Sequence, residues 1–226
     1  MKKYIYILIV FLVLAVALAI ANSEFILKRV TYDYVGNLLH ADISIDRAAI
    51  NIRKSTLKET GIRITADRGL DCNIETAFIS YGNILELVKN RSFTFRLEDV
   101  RLSYPGSEIL NSVANALSIE LQDVLKFDYI AGEFMRGQDE IVIKSLEASG
   151  RLLRLFADAT IEDGKNLNCS FKMLLSQEMI STIPDSIRKV FFKQDGDWSE
   201  VTLYLSGSID KPSINFSTDL FKLTVR

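Results

Sequence analysis

The sequence predicts a mainly β protein, in which an N-terminal transmembrane helix precedes a long antiparallel β-meander. Three observations support this prediction. An uncharged apolar run opens the chain, apolar residues then recur at every second position, and turn-forming residues recur every 10 to 15 residues or so. No long helix alternates with the strand-like segments, which disfavours a parallel α/β sheet.

The first segment, residues 1–21, is predicted to be a signal anchor. Lys2 and Lys3 are followed by 18 uncharged residues, 4–21, which as a helix would span about 27 Å, close to the thickness of a hydrocarbon core. The two lysines favour a cytoplasmic N-terminus, so residues 22–226 are expected to be exported. Ala19-Ile20-Ala21 also fits a signal-peptidase site, but the apolar run is longer than a usual signal-peptide core, which favours an uncleaved anchor. A buried core helix is disfavoured because its whole surface would need cover.

An amphipathic helix is predicted for residues 22–39. Ile26, Val30, Tyr34 and Leu38 are spaced by four residues and therefore share one helix face. We expect this face to pack against the folded body rather than on the membrane surface.

The remaining chain alternates with a period of two, which is typical of antiparallel strands with one dry and one wet face. The clearest runs are Leu167, Cys169, Phe171, Met173 and Leu175, and Val201, Leu203 and Leu205. After Phe93, Phe95 and Leu97, the apolar phase slips by one residue to Val100 and Leu102, which predicts a β-bulge near Asp99.

Turns and short helices punctuate the meander. Turn residues occur at 67–69, 136–139, 148–150, 162–165 and 210–212, and helical patches are predicted at about 82–89, 107–117 and 177–192, the last interrupted by Pro184. So few helices leave much of an apolar sheet face uncovered, so that the sheet must either curl on itself or form an apolar groove. In an exported, membrane-tethered domain the expected ligand of such a groove is an acyl chain. The candidate lining residues are Ile141, Ile143, Leu153, Leu155, Leu167, Phe171, Leu203 and Leu205, although the same alternation is consistent with a closed core.

The sequence lacks a coherent catalytic constellation. The single histidine, His40, has no nucleophile motif near it, and no phosphate-binding loop or calcium-binding loop is present. Cys72 and Cys169 stand alone and are expected to be buried thiols rather than a disulfide or a metal site, although an exported protein permits a disulfide. Residues 22–226 are mildly acidic, which argues against nucleic-acid binding. We therefore predict a non-enzymatic protein without cofactor or metal.

Three stretches resemble a small member of the AsmA-like superfamily of Gram-negative envelope proteins, which includes TamB-type and type II secretion N-type relatives. They are the anchor and helix leading into residues 42–45, the strand pattern of residues 127–134, 141–143 and 152–161, and the close at residues 205–214. The chain departs from that pattern at Asp158 and Ala159, where a glycine would be usual, and its exported part is much shorter than that of members thought to bridge the periplasm.

The resemblance implies a taco-like groove or partly open barrel, anchored in the inner membrane, with an apolar interior that accommodates phospholipid chains and with no catalytic residues. We therefore expect a single-pass inner-membrane protein with a periplasmic body that takes part in lipid binding, lipid transport or envelope assembly. The alternative is a non-catalytic structural or interaction subunit of a secretion or envelope-assembly machine. The expected partners are phospholipid acyl chains and other envelope or secretion proteins.

Overall fold

The computed structural model describes residues 41–66, 70–83, 92–103, 124–181, 183–208, 213–217 and 222–225. The predicted anchor (1–21), the predicted helix at 22–39, His40, the patch at 107–117 and most of the patch at 82–89 lie outside these residues. Within the described ranges, no helix has both the length and the apolar character needed to cross a bilayer.

Twelve strands and two short α-helices make up the described part of the chain. The strands are β1 (Ala41–Asn51), β2 (Thr56–Ala66), β3 (Leu70–Ser80), β4 (Ser92–Ser103), β5 (Val124–Arg136), β6 (Glu140–Ser149), β7 (Leu153–Glu162), β8 (Asn166–Ser176), β9 (Lys193–Asp195), β10 (Trp198–Ser208), β11 (Ser213–Ser217) and β12 (Lys222–Val225). The helices are α1 (Gln177–Ile180) and α2 (Asp185–Phe191), and a 3-10 turn at Ile52–Lys54 links β1 to β2.

All twelve strands belong to one antiparallel sheet. From β1 to β8 each strand pairs with the next in the chain, β8 then pairs with β10, and β11 and β12 follow, while the short β9 pairs with β10 alone. Among the described residues, β1 pairs only with β2 and β12 only with β11, so the sheet is open at both ends. The predicted mainly β antiparallel meander is confirmed.

Three predicted turns, at 136–139, 148–150 and 162–165, fall at or overlap hairpin connections. The predicted turns at 67–69 and 210–212 lie outside the described residues, and the connection between β1 and β2 at Ile52–Lys54 was not predicted as a turn. Between β7 and β8, Asp163 and Gly164 both adopt positive φ, 53° and 62°. Positive φ at both central residues is the geometry of the tight turn whose twist matches that of two antiparallel strands, and Asp-Gly is a preferred sequence for it. The turn at 136–139 separates β5 from β6, as expected.

The two helices confirm the predicted helical patch at 177–192 and its interruption. Ser176 caps α1 by accepting a hydrogen bond from the Met179 amide, at 3.4 Å. Pro184 then stands directly before α2, where its fixed φ of −55° suits a helix start and its missing amide donor costs nothing.

A phase slip runs across the first five strands at one level of the sheet. In a regular strand, one outward residue lies between two inward-facing residues. At this level, each of the five strands has two successive residues between them instead. These pairs, which we call the phase-slip line, are Asp46 and Arg47 in β1, Thr60 and Gly61 in β2, Glu75 and Thr76 in β3, Glu98 and Asp99 in β4, and Asp128 and Tyr129 in β5. Because every strand slips at the same level, the apolar face stays continuous above and below the line.

The predicted bulge near Asp99 is therefore wrong in its mechanism, although the slip itself is present. The pairing of β4 with β3 and with β5 keeps one register on both sides of Asp99, so β4 has no extra residue relative to either neighbouring strand. Asp99 instead takes a left-handed conformation, with φ of 51°. A true register shift occurs one strand beyond the line, in β6, where Ser145 has φ of 50°.

Candidate apolar binding face

One face of the sheet is apolar from β1 to β11. Cross-strand pairing sets inward residues side by side in rows, for example Ile45, Ile62, Ile74, Val100 and Phe127 in β1 to β5. A corresponding row in β6 to β10 contains Ala148, Leu155, Met173 and Val201. The buried members of these rows form one continuous hydrophobic cluster that reaches Ile214 in β11.

The two helices cover the C-terminal part of this face. The packing of α1 is on β8 and β10, and it buries Met179 and Ile180 together with Ile183 in the connection to α2. In the same two strands, Leu175 and Leu203 are 0% and 1% exposed. Arg151, in the turn between β6 and β7, holds the outer side of α1 through an ion pair with Glu178 at 2.7 Å. This part of the face is sealed by the protein itself.

The inward residues of β1 to β6 are also buried near the middle of the sheet. Ala77, Val100 and Ala148 are each no more than 3% exposed. The central rows are therefore buried along nearly the whole sheet.

The eight predicted lining residues all lie on the apolar face, at three depths. Leu153 and Leu203 are buried in the hydrophobic cluster. Leu155, Phe171 and Leu205 are half-buried and pack against that cluster. Ile141, Ile143 and Leu167 are half-buried and lie outside it, towards one end of their strands. An acyl chain could therefore reach Leu153 and Leu203 only if the covering side chains moved.

The half-buried residues of that end form a continuous strip along the apolar face. The strip, which we call the margin, consists of Tyr81, Phe93, Phe134, Ile141, Ile143, Ile161 and Leu167. Register pairs Phe93 with Phe134, Phe134 with Ile143, Ile141 with Ile161, and Ile161 with Leu167. The margin is thus an apolar surface that spans β4 to β8, with Tyr81 following β3, and is neither sealed nor polar.

Aromatic rings form the β3 to β5 end of the margin. The rings of Phe93 and Phe134 stack with their centroids 4.7 Å apart, and Tyr81 and Phe95 contact Phe93 at 5.6 and 6.3 Å. Such ring pairs contribute stability beyond the area they bury, so these contacts favour the packed arrangement of the rings. Period-two alternation indicated the strands, but the clustering depends on the β4 to β5 pairing and was not predicted.

Glu59 is a carboxylate on the apolar face that alternation did not predict. It occupies an inward position of β2 between Ala48 and Ala77, and is 2% exposed. Alanines on both sides leave room for the longer side chain, and no buried polar side-chain atom in the described part lacks a hydrogen-bond partner. Ser199, also 2% exposed, is the other buried polar residue of this part of the chain.

The opposite face is polar and carries cation–aromatic pairs. The Tyr129 hydroxyl donates a hydrogen bond to the Glu147 carboxylate at 2.5 Å, and this bond raises the pKa of Tyr129. Cations lie over aromatic rings in three places on this face: Lys58 over Phe78 at 5.1 Å, Arg96 over Tyr129 at 4.3 Å, and Arg154 over Trp198 at 4.4 Å. In these contacts, aromatic residues of the polar face interact with cations from other strands.

Both cysteines are free, as predicted, but they are half-buried rather than buried, on the apolar face. Cys72 pairs in register with Ile64 and Leu102, and burial raises the pKa of its thiol to about 11. Cys169 lies five strands away in β8, where burial and the charge of Asp158 raise its pKa as well. Both thiols are therefore protonated at neutral pH.

Within the described ranges, no three His, Cys, Asp or Glu side chains come together in a way that could hold a metal ion.

Comparison of the chain with protein-family models, with curated proteins and with solved structures found no match.

Proposed function

We propose that this chain is a periplasmic protein anchored in the inner membrane by residues 1–21, and that it binds the acyl chains of phospholipids at the margin. The proposal includes the AsmA-like resemblance, in which a curled sheet presents its apolar side to lipid. We propose no catalytic residue and no cofactor.

The margin is the observation that carries the proposal. It is contiguous over five strands and is bordered on one side by the sealed core, so a linear apolar ligand would lie with one side against buried side chains. A continuous apolar strip that a folded domain leaves partly in water is a candidate binding site, because contact of apolar surface with water is unfavourable. Scattered apolar residues on the opposite face, such as Phe78 and Tyr204, do not form such a strip.

The test is lipid recovery from the full chain. The protein is purified in a mild detergent, and bound phospholipid is measured by native mass spectrometry and by extraction. We expect phospholipid to copurify, and Ile141→Asn and Leu167→Asn to reduce the recovered lipid several-fold, because each places an amide where the acyl chain would lie.

Phe78→Asn is the matched control, since Phe78 is a partly exposed apolar residue on the opposite face. It should leave lipid recovery unchanged, and thermal unfolding of all variants shows whether they are folded. Absence of phospholipid from the parent protein, or equal loss in the control and the margin variants, would contradict the proposal.

The second candidate function is that of a non-catalytic interaction subunit in an envelope or secretion machine. It is favoured by the length of β1, an 11-residue strand with one open side among the described residues. Exposed strand edges accept strands from other chains. A protein that recovers no lipid but copurifies with envelope proteins would favour this candidate.

A further inference from the structure

The two open edges of the sheet differ in length. The edge strand β12 has 4 residues, whereas β1 has 11. A long edge strand presents a row of unpaired amide and carbonyl groups, which natural sheets usually shorten or cover. Of the two edges in the described part of the chain, β1 is the one able to form an extended ladder with another strand.

The phase-slip line restricts which strand can pair with β1. Asp46 and Arg47 both lie between the inward residues Ile45 and Ala48. A strictly alternating partner strand would therefore place its inward residues beside inward residues of β1 on one side of the slip, but beside outward residues on the other side. Strands β2 to β5 meet this condition because each carries a slip at the same level. A new partner for β1 must carry one too.

A second copy of β1 meets the condition. Its slip lies at the centre of the strand, so two antiparallel copies align their slips when Asp46 lies opposite Arg47 of the second copy and Arg47 opposite its Asp46. In that register Ile45 faces Ala48 and Ile43 faces Ile50, so inward residues meet inward residues throughout. Registers displaced by two residues set an inward residue against an outward one.

Charge supports the same register. Asp46 and Arg47 are exposed on the polar face, and the register places opposite charges across the junction twice. Opposite charges directly across an antiparallel pair are stabilising, and like charges there are destabilising. The other outward pairs, Asp42 with Asn51 and Ser44 with Ala49, contain no like charges.

We propose that the protein forms a symmetric dimer through β1, with a two-fold axis perpendicular to the sheet and with Asp46 opposite Arg47 of the second copy. This symmetry keeps both apolar faces on the same side of one continuous sheet. Head-to-tail assembly through β12 and β1 is disfavoured, because the path has eleven antiparallel strands and its two end strands run in the same direction, which would require a parallel pair. The proposal holds whether or not the margin binds lipid.

The test is a charge exchange in the full chain, with the dimer dissociation constant measured by sedimentation in density-matched detergent. Asp46→Arg and Arg47→Asp should each weaken the dimer by about ten-fold, because each turns two attractions into two repulsions. The double variant, which exchanges the two charges, should restore the dimer. Arg63→Asp, which changes another exposed charge but in β2, should have no effect.

A parent protein that stays monomeric at every concentration would overturn the proposal. A dimer that survives both single changes, or one that the double variant fails to restore, would place the interface elsewhere and overturn it too. Lipid recovery from the same samples separates this result from the lipid-binding proposal, because a monomer that carries phospholipid contradicts only the dimer.

Discussion

At the scale of single residues, left-handed backbone at two positions supports the phase-slip line. Gly61 has φ of 64°, and a Cβ there would come within 2.1 Å of the Asp46 carboxylate, so both conformation and space require glycine. Asp99 adopts φ of 51° with a side chain that tolerates this region better than most. The slip therefore depends on residues that can adopt positive φ rather than on side-chain packing.

Asp99→Val tests this reading of the backbone. We expect the free energy of unfolding to fall by about 1–2 kcal/mol, since a β-branched residue is strained at positive φ. Asp99→Gly should be no less stable than the parent. Asp128, its exposed neighbour across the β4 to β5 pair, has no positive φ, so Asp128→Val should change stability by no more than about 0.5 kcal/mol. Urea denaturation measures all three, and equal losses at Asp99 and Asp128 would contradict the conformational explanation.

The raised pKa of Cys72 predicts both low reactivity and a dependence of stability on pH. Its folded value of about 11 exceeds the ordinary 9.0, so the native state keeps the thiol proton longer than the unfolded chain. The contribution to stability is full below pH 9 and is lost as the pH rises towards 11. Iodoacetamide should modify Cys72 far more slowly in the folded protein at pH 8.5 or so than in urea, as followed by mass spectrometry. Equal rates would show that the thiol is not shielded.

At the scale of elements, the α1 and α2 connection decides where the apolar face is closed. Its two helices are too short to be stable alone, so their conformation depends on packing against β8 and β10. The apolar residues of this connection pack into the cluster of the sheet: Met179, Ile180, Ile183, Ile187 and Phe191. The connection therefore acts as part of the core.

Ile180→Ala should lower the free energy of unfolding by about 2–5 kcal/mol, because the side chain is 1% exposed and its loss leaves a cavity over β8 and β10. Glu178→Ala, on the solvent side of the same helix, removes only an exposed ion pair and should cost no more than about 1 kcal/mol. Thermal or urea unfolding compares the two. A small decrease in the free energy of unfolding for Ile180→Ala would mean that packing of α1 on the sheet does not stabilise the fold.

At the scale of the whole molecule, the sheet is a linear series of hairpins in which each strand contacts its sequence neighbours. Nearly all pairing is between strands adjacent in the chain, with β9 as a small insertion between β8 and β10. Such a sheet has two ends rather than a closed seam, and it concentrates apolar side chains on one side. The open β1 edge and the half-buried margin both follow from this architecture, and each supports one of the interactions proposed above.

Local sequence determined the strands, the Asp163-Gly164 turn, the break at Pro184 and the assignment of all eight candidate residues to one face. These follow from residue spacing and turn chemistry, which act between neighbours in the chain. Only the tertiary structure decided that Leu203 is buried while Leu167 is half-buried, and that Glu59 faces inward, because burial depends on what lies above a side chain rather than on alternation. Alignment of the phase slips across five strands was likewise decided by strand register, which no single segment of sequence specifies.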